Sequence, residues 1–99
     1  METYMIRRRK AWQSPEELEE TGKRSGEVAG DEFPKDIAWI RSYVVQEDDG
    51  TLGSFCVYQA SSEEKVREHA SRVGMPADEI ERIVDTVVIR PDPEPAATA

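Results

Sequence analysis

The chain predicts one α+β domain whose elements run β-α-β-β-α-β, and three stretches carry that prediction. Phe55 to Ala60 alternates aromatic, β-branched and polar side chains, then meets Ser61-Ser62-Glu63-Glu64, where a serine caps a helix with an acidic first turn. Ser14-Pro15-Glu16-Glu17 opens an earlier helix, with serine at the N-cap, proline at the first helical position and Glu17 at the capping-box position. Glu47 to Gly53 holds an Asp-Gly pair between two strand-like runs, the chemistry of a hairpin.

Taken in order, Thr3 to Arg9 reads as the first strand, with Tyr4, Ile6 and Arg8 on one face and Met5, Arg7 and Arg9 on the other. The run Arg7-Arg8-Arg9-Lys10 reads as the exposed end of that strand, paired with surrounding acid. Ala11 to Gln13 connects, with Trp12 covering the edge of the core. The first helix repeats Leu18, Thr21, Ser25 and Val28 or Ala29 at helical spacing, and its small residues, Gly22 and Gly26 among them, let it sit close to a sheet. Gly30 to Asp36 is a loop closed by Pro34.

Ile37 to Gln46 is the most strand-like segment. Regular alternation places Ile37, Trp39, Arg41, Tyr43 and Val45 on one face and Ala38, Ile40, Ser42 and Val44 on the other, so both faces should be covered. Ser54 to Ala60 returns antiparallel, with Cys56 and Tyr58 on one face and Phe55, Val57 and Gln59 on the other. In the second helix Val66, Ala70 and Val73 form the apolar stripe and His69 lies beside it; Gly74 and Pro76 end it. Ala77 to Ile83 reads as a short extra helix, and Ile83 or Val84 to Arg90 as the last strand, centred on Val87-Val88-Ile89. The domain therefore spans residues 1–90, and the proline- and alanine-rich residues 91–99 read as a disordered tail.

This order is the ferredoxin-like split βαβ arrangement, a four-stranded antiparallel sheet with both helices on one face. The other face then bears an apolar and aromatic patch too large for a monomer, which predicts a homodimer packed through the open sheet faces, a dimeric α/β barrel. A chain of 99 residues has one core, and its net charge of -8 repels the phosphates of nucleic acid. No apolar run approaches the roughly 20 residues needed to span a bilayer, which excludes a membrane partner. A lone cysteine and the lack of a secretory leader point to the cytoplasm.

Few residues can do chemistry near neutral pH. His69, the only histidine, is of the type that most often binds nickel, copper or zinc; its plain structural reading is a helix-boundary residue bonded to a backbone carbonyl. Cys56, the only cysteine, offers a soft thiolate or packs as a small hydrophobe. The spacings of a closed zinc site are missing, so any metal held by His69 and Cys56 needs carboxylates, water or a second chain. Glu64 and Glu68 share a helix face and also suit pairing with Lys65, Arg67 or Arg72. Tyr4, Trp39, Tyr43 and Tyr58 share a sheet face if the registers agree, and would there line a cavity for a flat organic ligand or pack a dimer interface. The acidic loop at 47–53 lacks the spacing of an EF-hand. Phosphate loops, nucleophile elbows and dinucleotide fingerprints are absent, which weighs against an enzyme.

At Trp39-Ile40-Arg41-Ser42-Tyr43-Val44, Cys56-Val57-Tyr58-Gln59-Ala60, Arg67-Glu68-His69-Ala70 and Gly74-Met75-Pro76-Ala77-Asp78, the chain resembles a family of small bacterial proteins of unknown function. Its best-known type is described as a nickel-binding ferredoxin-like protein. The resemblance runs from about Tyr4 to Ile89 and implies a ferredoxin-like dimer with nickel as a candidate ligand. It makes His69 the leading metal ligand, with Cys56 and Tyr58 as neighbours of the site. The implied function is binding of a divalent transition metal for sequestration or sensing. The alternative is a dimeric α/β barrel enzyme or carrier with a small organic ligand among the aromatic residues. One departure is that Arg7, Arg8 and Arg9 stand where the family usually has an acidic residue near the end of the first strand.

Overall fold

The computed structural model describes residues 1–94. Its elements are β1 (Glu2–Trp12), α1 (Pro15–Glu32), β2 (Ile37–Gln46), β3 (Leu52–Ala60), α2 (Glu63–Val73) and β4 (Glu79–Ile83). The four strands form one antiparallel sheet in the order β2-β3-β1-β4, the ferredoxin-like topology. Both helices start where their caps dictate. Ser14 accepts from the Glu17 amide at 3.2 Å, and Ser62 rather than Ser61 caps α2 by accepting from the Lys65 amide at 3.3 Å. Gly74 ends α2 with φ of 85°, a left-handed conformation that would strain any residue with a Cβ.

The core lies between the helices and the inner sheet face, where Tyr4, Ile6, Ile37, Cys56, Tyr58 and Ala60 meet Ala29, Phe33 and Val66. α1 contributes little bulk to it. Its buried residues are Thr21, Ser25 and Ala29, so the helix covers the sheet without filling the space beneath it.

Two strand irregularities shape that space. In β1 the ladder with β3 shifts between Arg8 and Trp12, where Lys10 adopts φ of 49°, and Trp12 is turned inward to 4% exposure. In β2 the pairing with β3 slips between Trp39 and Arg41, so Ile40 is an extra residue. The regular alternation expected for this strand therefore fails at its midpoint. Ile37, Trp39, Ser42 and Val44 share the inner face, opposite Ala60, Tyr58, Cys56 and Ser54, while Arg41 and Tyr43 lie outside opposite Val57 and Phe55.

The last strand also differs from expectation. Residues 79–83 pair with β1, Ile80 opposite Ile6 and Ile83 opposite Thr3, and no extra helix precedes them. An edge strand tolerates the charged sequence Glu79-Ile80-Glu81-Arg82-Ile83 because ladder bonds and cross-strand ion pairs, Arg82 with Glu2 and Arg9 with Glu79, hold it with only Ile80 and Ile83 partly buried. Val84, Val87, Val88 and Ile89, more β-prone by composition, stay outside the sheet at 69–86% exposure. They run past the open face. Asp92 there accepts from Arg41 and from the Tyr43 hydroxyl, each at 2.6 Å. Of the expected tail, residues 95–99 lie outside the described residues.

Candidate functional site

Beneath α1 lies a cavity of about 220 Å³, walled by Trp12, Trp39, Cys56, Tyr58, Arg8 and Ser25. It exists because the inner side of α1 is small. A Cβ added at Gly22 would stand 3.7 Å from the Trp39 ring. Trp39 is stacked on Tyr58 with ring centres 6.0 Å apart and 6° between planes. It is still 42% exposed on the sheet's edge strand, and forms the outer wall. Its indole N–H donates to Ser42 Oγ at 2.8 Å, which fixes the ring.

Of the four aromatic residues expected to share a face, Tyr4, Trp39 and Tyr58 do so, and Trp39 and Tyr58 line the cavity. Tyr43 does not. The extra residue at Ile40 puts it on the opposite side of the sheet, where its hydroxyl donates to Asp92. Sequence reasoning placed Trp12 only at the edge of the core, since its full entry depends on the β1 irregularity, and missed Arg8.

Arg8 is 1% exposed. The reading of Arg7 to Lys10 as an exposed, acid-paired run holds for Arg9 and Lys10, while Arg7 is acid-paired but largely buried. Arg7 makes a two-pronged contact with Glu47 at 2.8 and 3.1 Å, Arg9 pairs with Glu79, and Lys10 Nζ is 3.6 Å from Asp49. Arg8 points the other way, as strand alternation requires, into the core. Its Nη1 donates to the Pro76 carbonyl at 2.7 Å, its guanidinium carbon sits 5.8 Å from the Tyr58 ring centre, and its Nε has no hydrogen-bond partner.

His69 is also 1% exposed, on α2, with Tyr58 5.5 Å and Phe33 6.0 Å away between ring centres. Its Nε2–H donates to the Ser25 carbonyl at 3.1 Å, an acceptor that requires the proton on this nitrogen. Burial pushes the imidazole below its ordinary value of 6.5, and the Arg8 charge adds to that, against the opposing Ser25 bond. The ring is therefore neutral. Ser25 serves both neighbours, since its Oγ lies 3.0 Å from the Tyr58 hydroxyl. Burial raises the Tyr58 phenol, which keeps its proton.

Cys56 is buried with Sγ 3.1 Å from Ser54 Oγ, and lines the cavity, whereas His69 does not. Among the described residues no three His, Cys, Asp or Glu side chains gather as metal donors. Glu68 is engaged by Lys65 at 3.4 Å. The donors of a single chain thus do not fit a nickel centre on His69 and Cys56, because His69 Nε2 is bonded to a backbone carbonyl and no third donor gathers with either residue.

Among the described residues no helix is long and apolar enough to cross a membrane. No curated protein matches the chain. Among solved structures, the crystal structure of SCO4226 from Streptomyces coelicolor A3(2) is similar, with a TM-score of 0.67, 20% sequence identity, and coverage of 86% of this chain and 99% of that one. At that identity the likeness establishes the shared fold. The family model described as nickel responsive protein, SCO4226-like, matches residues 4–83, from the first strand through the last, and the chain belongs to that family.

Proposed function

We propose that this protein works by binding rather than catalysis, in a response to nickel, as a homodimer joined through the open faces of its sheets. The family match over residues 4–83 carries the nickel part of this reading. The dimer rests on the outer sheet face, where Ile40, Tyr43 and Phe55 are 38–46% exposed beside a groove of about 650 Å³. Val87 and Val88 border the same groove, so one surface gathers an unpartnered sheet and an unpartnered apolar segment. A second copy related by a two-fold axis covers both at once.

The two-fold axis also supplies what one chain lacks. Carboxylates from both copies, brought together at the interface, provide the oxygen ligands that nickel accepts, and His69 stays in its place against Ser25. Nickel titration calorimetry on metal-stripped, tag-free protein, with His69→Gln alongside and the oligomeric state followed by sedimentation, tests this. Saturable binding at a fixed stoichiometry per dimer, retained in the variant, is the expected result. Loss of binding in a folded His69→Gln protein would return the centre to His69, and a wild-type protein without saturable binding would remove nickel as the ligand.

A further inference from the structure

We propose that residues 84–92 form a strap, latched at Asp92, which the open sheet face presents to a second copy of the chain, so that Asp92 sets how tightly two copies join. This rests on the homodimer proposed for the open faces and names the element that governs it. The strap is fixed at both ends. Ile83 sits in the ladder opposite Thr3 at the β4 edge of the sheet. At the β2 edge Asp92 accepts from Arg41 and from the Tyr43 hydroxyl, each at 2.6 Å. The chain between them therefore crosses the whole sheet. With about 4.8 Å between strands and about 3.3 Å per residue along them, that diagonal is roughly 20 Å, whereas the steps from Ile83 to Asp92 can reach about 30 Å. The slack lets the strap stand off the sheet. A groove of about 650 Å³ opens beneath it, with Val87 and Val88 on one side and Met5, Ile40 and Val57 on the other.

A strap that only covered its own sheet would bury its apolar side chains there. This one leaves Val84, Val87, Val88 and Ile89 at 69–86% exposure. Polar contacts at its far end, and not its own packing, hold it in place. Fixing an apolar segment in water gains little for a single chain, but an arm already ordered loses less freedom when a partner settles on it. The partner that fits is a second copy. It carries the same raised strap beside the same groove, and a two-fold axis sets each strap against the groove of the other copy. Charge favours the same partner. Each chain has a net charge of -8, so two copies repel over most of their surfaces. The groove is lined by one cation, Arg41, and one anion, Asp85, so this face is close to neutral and can meet itself.

Sedimentation equilibrium on the full-length wild-type protein, Asp92→Ala and Val87→Ser tests the strap, with circular dichroism confirming that each variant is folded. Both positions lie outside the sheet and are exposed, so the substitutions leave the core untouched. Asp92→Ala removes both latch bonds in each of two copies and should raise the dimer dissociation constant about tenfold. Val87→Ser keeps the latch and removes apolar surface from both straps, and should raise it by about tenfold or more. A tighter dimer in Asp92→Ala would make the strap a barrier to association and overturn the proposal. A wild-type dimer whose constant is unchanged in Asp92→Ala or in Val87→Ser would leave the homodimer standing and overturn the strap's part in it. A wild-type chain that stays monomeric at every concentration would overturn both.

Discussion

His69 and Arg8 press on the same Tyr58 ring, and each is 1% exposed, yet the fold satisfies one and leaves the other wanting. The imidazole sheds its charge, donates its Nε2–H to the Ser25 carbonyl and is at rest. The guanidinium cannot do the first and completes only part of the second. Burial of a titratable group is thus a poor marker of function by itself. What separates a settled polar residue from an unsettled one is whether its hydrogen bonds and charge are already answered within the chain.

The largest expected effect is at His69. His69→Leu keeps the bulk but removes the imidazole's bond to the Ser25 carbonyl, which keeps its partner within α1, and should cost about 1–1.5 kcal/mol in urea unfolding. The same variant should flatten the acid side of the stability profile. In the wild-type protein the folded imidazole holds its proton less tightly than the unfolded chain, whose value is near 6.5. Stability is therefore full above that pH and falls as pH drops below it. Glu47 and Asp92, held below their ordinary values of 4.5 and 3.8 by Arg7 and by Tyr43 respectively, lose their contributions only at lower pH, so the two windows are separable. A His69→Leu protein with an unchanged profile between pH 6.5 and the carboxylate range would mean that the imidazole is not the group responsible.

Arg8→Met should move stability the other way, by about 1 kcal/mol upward, since it removes an unanswered buried charge at the loss of one bond to Pro76. Urea unfolding reads this directly; a variant destabilised beyond that figure would mean Arg8 is structural. Ser25→Ala gives the smallest effect. It removes the hydroxyl contact with Tyr58 and keeps the carbonyl for His69, so it should cost about 1 kcal/mol or less and leave the pH profile alone.

How much of this could be read beforehand depends on whether a signal is local. Helix starts at Ser14 and Ser62, the stop at Gly74 and the hairpin were legible because each is written in a few consecutive residues. The sheet order follows from connection rules. Faces were legible only where strands stay regular. One extra residue in β2 sent Tyr43 outside, and one irregularity in β1 brought Trp12 inside, neither of which leaves a trace in the pattern of apolar residues. The final strand was misplaced because β-propensity favours Val87-Val88-Ile89 while pairing partners were available at Glu79–Ile83. Arg8 was placed on the correct face with Tyr4 and Ile6, but a charge between two charges reads as surface. The alternation that made it inward was visible, and the absence of its counter-ion was not.

The irregularity at Ile40 has an evolutionary meaning. Because Ile40 is the surplus residue, a chain shortened by one at this point would straighten β2 and still direct Trp39, Ser42 and Val44 inward. Loss of one residue from the regular stretch of β3 between Phe55 and Tyr58 would instead exchange the two faces for everything beyond it. Gaps in an alignment of relatives should therefore collect beside Trp39 and avoid the centre of β3. A family can drift in length at the mouth of its cavity while its floor stays in frame.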